Sequence, residues 1–244
     1  MRTDMKRTAL ITGASRGIGK AIAIALANKG FNLVLVYKSS SEKMKELESE
    51  LKNKTSLITV QADVSKPSEL EKAFSEGKRA FGFIDTLINN AGISHFAFFD
   101  NETQQTYDEV MDTNFRSVFT ACLLASKDMI ANKFGRIVNI SSVWGQKGAS
   151  MEVLYSASKH AVIGLTRSLN NELSPSNIIV NAVCPGVIDT DMNKHFSKED
   201  REEIAQDIPM GRFGKAEEVA SVVTMLVSED LYIGGEDISV TGGY

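Results

Sequence analysis

A chain of 244 residues, 43% hydrophobic and 24% charged, is long enough to close a substantial core and is ordinary in polarity. Its formal net charge of −4 argues against a general nucleic-acid surface, and no apolar run approaches the roughly 18 residues of a membrane span. The basic start, residues 1–7, meets only Ala9-Leu10-Ile11 before Thr12-Gly13, too short for a signal-peptide core, so a cytoplasmic address is expected.

In chain order, an apolar strand at 8–12 runs into a glycine-spaced turn and a helix at 18–28. A strand at 33–37, a helix at 42–52 and a strand at 56–61 follow. Lys66-Pro67-Ser68-Glu69 then offers a proline and a carboxylate for the first turn of a helix at 68–78. A strand at 86–89, a long helix at 107–132, a strand at 136–141, a helix at 157–173 and a strand at 178–184 complete the alternation. The stretch 187–213 is weakly patterned and is the candidate lid; 238–240 adds a last strand. Strands separated by helical crossovers imply an α/β chain with one doubly wound parallel sheet, a Rossmann-like three-layer sandwich. No linker or repeat divides it, so 1–244 reads as a single domain.

The turn is Thr12-Gly13-Ala14-Ser15-Arg16-Gly17-Ile18-Gly19. Glycines let the main chain approach phosphate oxygens, and the helix N-terminus presents free amides with partial positive charge. At the end of the second strand, where an acid would hold a ribose 2′-hydroxyl, the chain has Lys38-Ser39-Ser40, and Arg16 adds a second cation. That pattern favours NADP(H) over NAD, the alternative being that Lys38 is a solvated loop lysine. Asp63-Val64 ends the third strand and Asn90-Ala91-Gly92 the fourth, both on the side where ligands of open sheets collect. Either is equally explained, taken alone, as turn chemistry.

Tyr155 and Lys159 stand four apart, hence on one face of a helix, and Ser142 precedes Tyr155 by thirteen residues. An ammonium beside a phenol favours phenolate and lowers its pKa, while Ser142 can donate to a substrate oxygen as charge develops on it. Asn114, on the long helix, is placed to hold a water linking Lys159 to solvent. Cys122 and Cys184 lack metal or disulfide spacing and read as buried thiols; His95, His160 and His195 have no metal partner at ligand spacing, so no metal site is expected.

Jointly, Thr12–Gly19, Asp63-Val64, Asn89 to Gly92, Asn114, Ser142, Tyr155 to Lys159 and Pro185-Gly186 resemble the short-chain dehydrogenases/reductases over essentially the whole chain. The resemblance implies Tyr155 as acid/base, Lys159 as ribose ligand and tuner of the phenol, Ser142 as carbonyl ligand and Asn114 in a proton relay. It also implies Asn90 near the cofactor ribose, Asp63 and Val64 at adenine, and Ile188 with Thr190 at the carboxamide of NADPH. Within the family, the segments 187–192, 208–214 and 235–243 are similar to the 3-oxoacyl-[acyl-carrier-protein] reductases. This implies reduction of a 3-oxoacyl thioester in fatty-acid or polyketide synthesis, on an acyl carrier protein.

Several departures qualify that likeness. Ser94-His95-Phe96-Ala97-Phe98-Phe99 replaces a polar segment, leaving the phenylalanines as pocket lining or as core or interface packing. Trp144 replaces a small aliphatic residue beside Ser142 and is the better pocket candidate. Lys133 meets one position expected to be basic for carrier docking, whereas Ser176 stands at another; Lys127 and Arg167 either compensate or are solvated. The resemblance implies a homotetramer, with Phe115, Val118, Phe119, Cys122, Leu123 and Met129 as helix surface for it; the shortened segment 228–232 leaves a dimer or a mixed assembly with a related subunit open. Dehydrogenation of a sterol, sugar or other secondary alcohol uses the same groups, and a non-catalytic nucleotide-binding subunit is the alternative outside enzymology.

Overall fold

A computed structural model describes residues 6–194 and 196–244, so the first five residues of the basic start and His195 lie outside the described residues. Strands β1 (Thr8–Thr12), β2 (Asn32–Tyr37), β3 (Leu57–Gln61), β4 (Thr86–Asn89), β5 (Gly135–Ile140), β6 (Ile178–Pro185) and β7 (Asp237–Val240) form one seven-stranded sheet in the order β3-β2-β1-β4-β5-β6-β7. Every neighbouring pair is parallel. The helices are α1 (Gly17–Asn28), α2 (Ser41–Leu51), α3 (Pro67–Phe81), α4 (Gln104–Met111), α5 (Ser117–Asn132), α6 (Val153–Leu173), α7 (Lys198–Asp207) and α8 (Ala216–Ser228).

A parallel sheet must be covered on both faces, and the two-residue period of a strand divides its side chains between them. Ala9, Ile11, Leu33 and Leu35 enter a layer completed by α1, α2 and α8. Leu10, Val34, Val36 and Leu87 enter the opposite layer, under α3, α5 and α6. Leu10, Ile11, Leu33 and Leu35 are fully buried, each worth roughly 1.5–3 kcal/mol of transfer free energy. The chain winds outward from β1 to β3 and then crosses to β4. The carboxyl ends of β1 and β4 therefore diverge at a switch point, where open sheets collect ligands.

Three expectations are corrected. The segment expected as one helix at 107–132 is α4, a π-helical turn at Asp112–Arg116 and then α5. α4 starts early because Thr103 and Thr106 cap each other reciprocally. The stretch 187–213 is not irregular throughout: Ser197 and Asp200 cap α7, which buries none of its residues and so leaves no apolar period. α8 was not expected at all. Its N-cap is Lys215, not a capping residue type; Glu218 supplies the cap by accepting from the Lys215 N–H at 2.7 Å.

Candidate active site

β1 delivers the chain into the glycine turn. Gly13 and Gly17 hold φ of +65° and +53°, a region that favours glycine. A Cβ on Gly13 would stand 2.9 Å from Ala91 Cα, and one on Gly19 would stand 2.5 Å from Asn90 Nδ2 and collide with the Gly13 carbonyl. Asn90 braces this turn: its Nδ2 donates to the carbonyls of Thr12 (3.0 Å) and Gly13 (3.1 Å). Thr12 Oγ1 accepts from the N–H groups of Asn90 and Ala91 at 3.0 and 3.1 Å. The turn after β1, α1, α2 and the segment after β6 border a cleft of about 550 Å³, lined among others by Ser15, Arg16, Gly17, Lys43, Glu46, Thr190, Asp191 and Glu217. A bare glycine turn at the head of α1, opening on a cleft with cations, fits a dinucleotide pyrophosphate.

Other expected cofactor positions divide by what their side chains do. Ile18 packs against the first core layer, Val64 is buried in the second, and Ile188 is buried where it bridges to Gly214, so only main chain is offered there. Thr190 borders the cleft, with its Cβ 3.4 Å from where a Cβ on Gly17 would stand. After Pro185, the Gly186 N–H donates to the Val240 carbonyl at 3.0 Å. Ser39 is exposed and its carbonyl accepts from the Ser41 N–H at 3.0 Å. Lys38 is not simply solvated: its Nζ pairs with Asp63 at 2.8 Å. Burial works against the Asp63 charge, yet bonds from Lys38 and Ser65 outweigh it and hold the carboxyl below its ordinary range.

The proton-handling groups meet at the end of β5 and the start of α6. Ser142 Oγ accepts from the Trp144 N–H at 3.2 Å, and its hydroxyl acts on the Tyr155 phenol to lower its pKa. Lys159 lies one turn along α6; its Nζ donates to the Ile140 carbonyl at 2.9 Å and stands 5.7 Å from the Tyr155 ring centroid. Asn114 faces inward from the π-helical turn and is fully buried. Its Oδ1 accepts from the Ile93 N–H at 2.8 Å, and its Nδ2 donates to the Ile93 carbonyl (2.9 Å) and Ser158 Oγ (3.1 Å). The segment 90–92 joins both halves of the site. Ala91 abuts Gly13, and a Cβ on Gly92 would stand 3.4 Å from Lys159 Nζ and 3.2 Å from Asn114 Oδ1.

The electrostatics correct one expectation. The Tyr155 phenol is not lowered: burial pushes it up to about 12, against a smaller lowering by the Ser142 bond. Burial likewise lowers Lys159 to about 8. The lysine ammonium is directed at the Ile140 carbonyl, so desolvation governs the phenol. A phenol that is protonated throughout neutral pH, beside a serine hydroxyl, offers with it two donors for a carbonyl oxygen.

Residues around this core behave variously. Trp144 meets Tyr244 edge-on, with centroids 5.6 Å apart. Phe96, Phe98 and Phe99 are 68%, 59% and 69% exposed, which rules out the core. His95 pairs with Glu102 at 2.9 Å, and Arg167 is engaged by Asp237 at 2.5 Å. His160 Nδ1 lies 2.9 Å from the Ser156 carbonyl. Cys122 and Cys184 are buried and free. Among the described residues, no group of three or more His, Cys, Asp or Glu is placed to hold a metal ion, and no helix is long and apolar enough to cross a membrane. Sequence reasoning missed a buried string in which Asn89 Nδ2 donates to Asn139 Oδ1 (2.8 Å) and Asn139 Nδ2 to Thr166 Oγ1 (2.9 Å). The asparagines at 89 and 139 inside otherwise apolar strands are the signal that marks it.

The family model described as short chain dehydrogenase matches residues 7–201. The chain is 40% identical over 241 residues to a 3-oxoacyl-[acyl-carrier-protein] reductase FabG of Staphylococcus aureus (strain Mu50 / ATCC 700699), covering 98% of each. It is 41% identical over 240 residues to the FabG of Aquifex aeolicus (strain VF5), covering 97% of this chain and 96% of that one. Among solved structures, levodione reductase superposes with a TM-score of 0.93 at 33% identity, covering 98% of this chain and 97% of that one. YwfH, an NADPH dependent reductase involved in bacilysin biosynthesis, gives 0.91 at 33%, covering 98% of each. A blue fluorescent protein from a metagenomic library, in complex with NADPH, gives 0.90 at 32%, again covering 98% of each. This chain belongs to the short-chain dehydrogenase/reductase family of oxidoreductases.

Proposed function

We propose that this chain is an NADPH-dependent reductase of 3-oxoacyl thioesters presented on an acyl carrier protein. The observation that carries the reading is the placement of segment 90–92, which abuts the glycine turn on one side and Lys159 on the other, so that a dinucleotide bound along α1 reaches the Ser142–Tyr155 pair. The likeness to 3-oxoacyl-[acyl-carrier-protein] reductases over 98% of the chain supports the substrate class, and likeness to NADPH dependent reductases supports the cofactor.

Bound NADPH supplies the hydride that reduces the carbonyl carbon. Ser142 Oγ donates to the carbonyl oxygen, and Tyr155 Oη gives it the proton that completes the secondary alcohol. Lys159 holds the cofactor ribose; its charge supports the phenolate left behind. Asn114 fixes the β4 loop through the Ile93 peptide and thereby holds Gly92 beside Lys159. Residues 187–213 act as the lid, and Trp144 with Tyr244 walls the substrate side. Phe119 and Leu123, joined by Ile130, are exposed on one side of α5 and support self-association, whereas Val118, Cys122 and Met129, expected on that surface, are buried in the second core layer.

Replacing Tyr155 with Phe is expected to lower turnover of an acetoacetyl thioester by about 10²–10⁴-fold, the range of general acid catalysis. NADPH binding, followed by nucleotide fluorescence, is expected to be retained; near-normal turnover contradicts the assignment. A second reading, reduction of a small free ketone, draws on Arg167, whose pairing with Asp237 engages one of the cations expected to face a carrier. A higher kcat/KM for a cyclic diketone than for the carrier-bound thioester favours that second reading.

A further inference from the structure

Three cations from three parts of the chain converge on one carboxylate. Lys43 Nζ on α2 stands 2.5 Å from Asp191 Oδ2, and Arg16 Nη1, before α1, stands 4.0 Å from the same oxygen. Lys194 bonds the other oxygen, Oδ1. The Lys194 and Lys43 bonds hold the Asp191 carboxyl down at about 2, against the opposing effect of burial. The Lys43 and Arg16 bridges tie the segment after Thr190, to which Lys194 also belongs, to α2 and to the glycine turn along this cleft. Asp189 borders the same cleft but pairs elsewhere, with Arg201 at 2.8 Å.

A single carboxylate shared among three cations neutralises them incompletely. The side chains of Arg16, Lys43 and Lys194 are 59%, 47% and 72% exposed, so an incoming anion reaches them without unfolding anything. A phosphate group offers more acceptor oxygens and, as a monoester, more charge than a carboxylate. We propose that Lys43 and Lys194, with Arg16, form a phosphate-binding set for the dinucleotide, and that Asp191 is its intramolecular stand-in, surrendering these cations when phosphate arrives. The inference rests on the nucleotide-binding reading above and extends it to two lysines and an acid outside the glycine motif. Because Asp191 belongs to the lid segment, the exchange of partners couples cofactor entry to release of the lid root.

Equilibrium titration of the full chain with NADPH and with NADH tests this without turnover. Asp191→Asn is expected to tighten nucleotide binding by about two- to fivefold, the scale of an exposed ion pair. Asp189→Asn, which removes the same charge from the same cleft without freeing Lys43, is expected to change it far less. Lys43→Met is expected to weaken binding and to abolish the gain from Asp191→Asn. A gain confined to NADPH assigns the 2′-phosphate as the competitor; an equal gain with NADH assigns the pyrophosphate. Unchanged or weaker binding by Asp191→Asn, or an equal gain from Asp189→Asn, overturns the proposal. Failure of the unaltered chain to bind either nucleotide overturns the underlying reading as well.

Discussion

Lys159 is an expensive residue to bury. Its fall from an ordinary 10.5 to about 8 is worth roughly 3 kcal/mol, and the bond to Ile140 recovers only part of that. A folded-state pKa below the unfolded one means the unfolded chain binds more protons between these values, so stability rises as pH climbs from about 8 to 10.5. Lys159→Met is therefore expected to gain about 1–3 kcal/mol at neutral pH in urea unfolding, with the gain shrinking through that window and reduction lost throughout. A destabilised variant points instead to a packing role. Spacing made the Tyr155–Lys159 pair legible in the sequence, since positions four apart share a helix face. The direction of the tyrosine shift was not legible, because it depends on burial contributed by residues far away in the chain.

At the scale of elements, the polar string from Asn89 through Asn139 to Thr166 fixes β4, β5 and α6 against one another within an apolar interior. Asn139→Leu leaves Asn89 Nδ2 with only the weak Cys122 Sγ acceptor and Thr166 Oγ1 with only its bond to the Val162 carbonyl, and is expected to cost about 1–3 kcal/mol. Chemical denaturation measures this, and no loss of stability means the string contributes only register. The central strands and α1 to α3 were readable from apolar runs and a proline start. The π-helical turn was not, because one extra residue in a helix leaves the apolar spacing nearly intact while turning Asn114 inward. Likewise α8 carried a clear apolar face, with Val219, Val223 and Val227 buried, but its cap comes from a glutamate behind a lysine.

Across the whole molecule, sheet order places the site. The strand order reverses beside β1, so the glycine turn and the lid root border one cleft and the segment 90–92 abuts that turn, although all three are remote in sequence. Of the residues that line the cleft, sequence motifs named Ser15, Arg16 and Gly17 of the turn and Thr190 beyond β6. Lys43, Lys194 and Asp191 escaped notice as phosphate-site residues because surface charges have no pattern until the fold juxtaposes them. The exposed Phe96, Phe98 and Phe99 likewise acquire meaning only from their neighbours.

The most direct measurement is kcat/KM for a 3-oxoacyl thioester on its carrier protein, determined with NADPH and with NADH under identical conditions. Formation of the 3-hydroxyacyl product is expected, with NADPH favoured at least about tenfold, a difference of ~1.4 kcal/mol in transition-state binding. Preference for NADH, or failure to reduce the thioester while NADPH binds tightly, would contradict it.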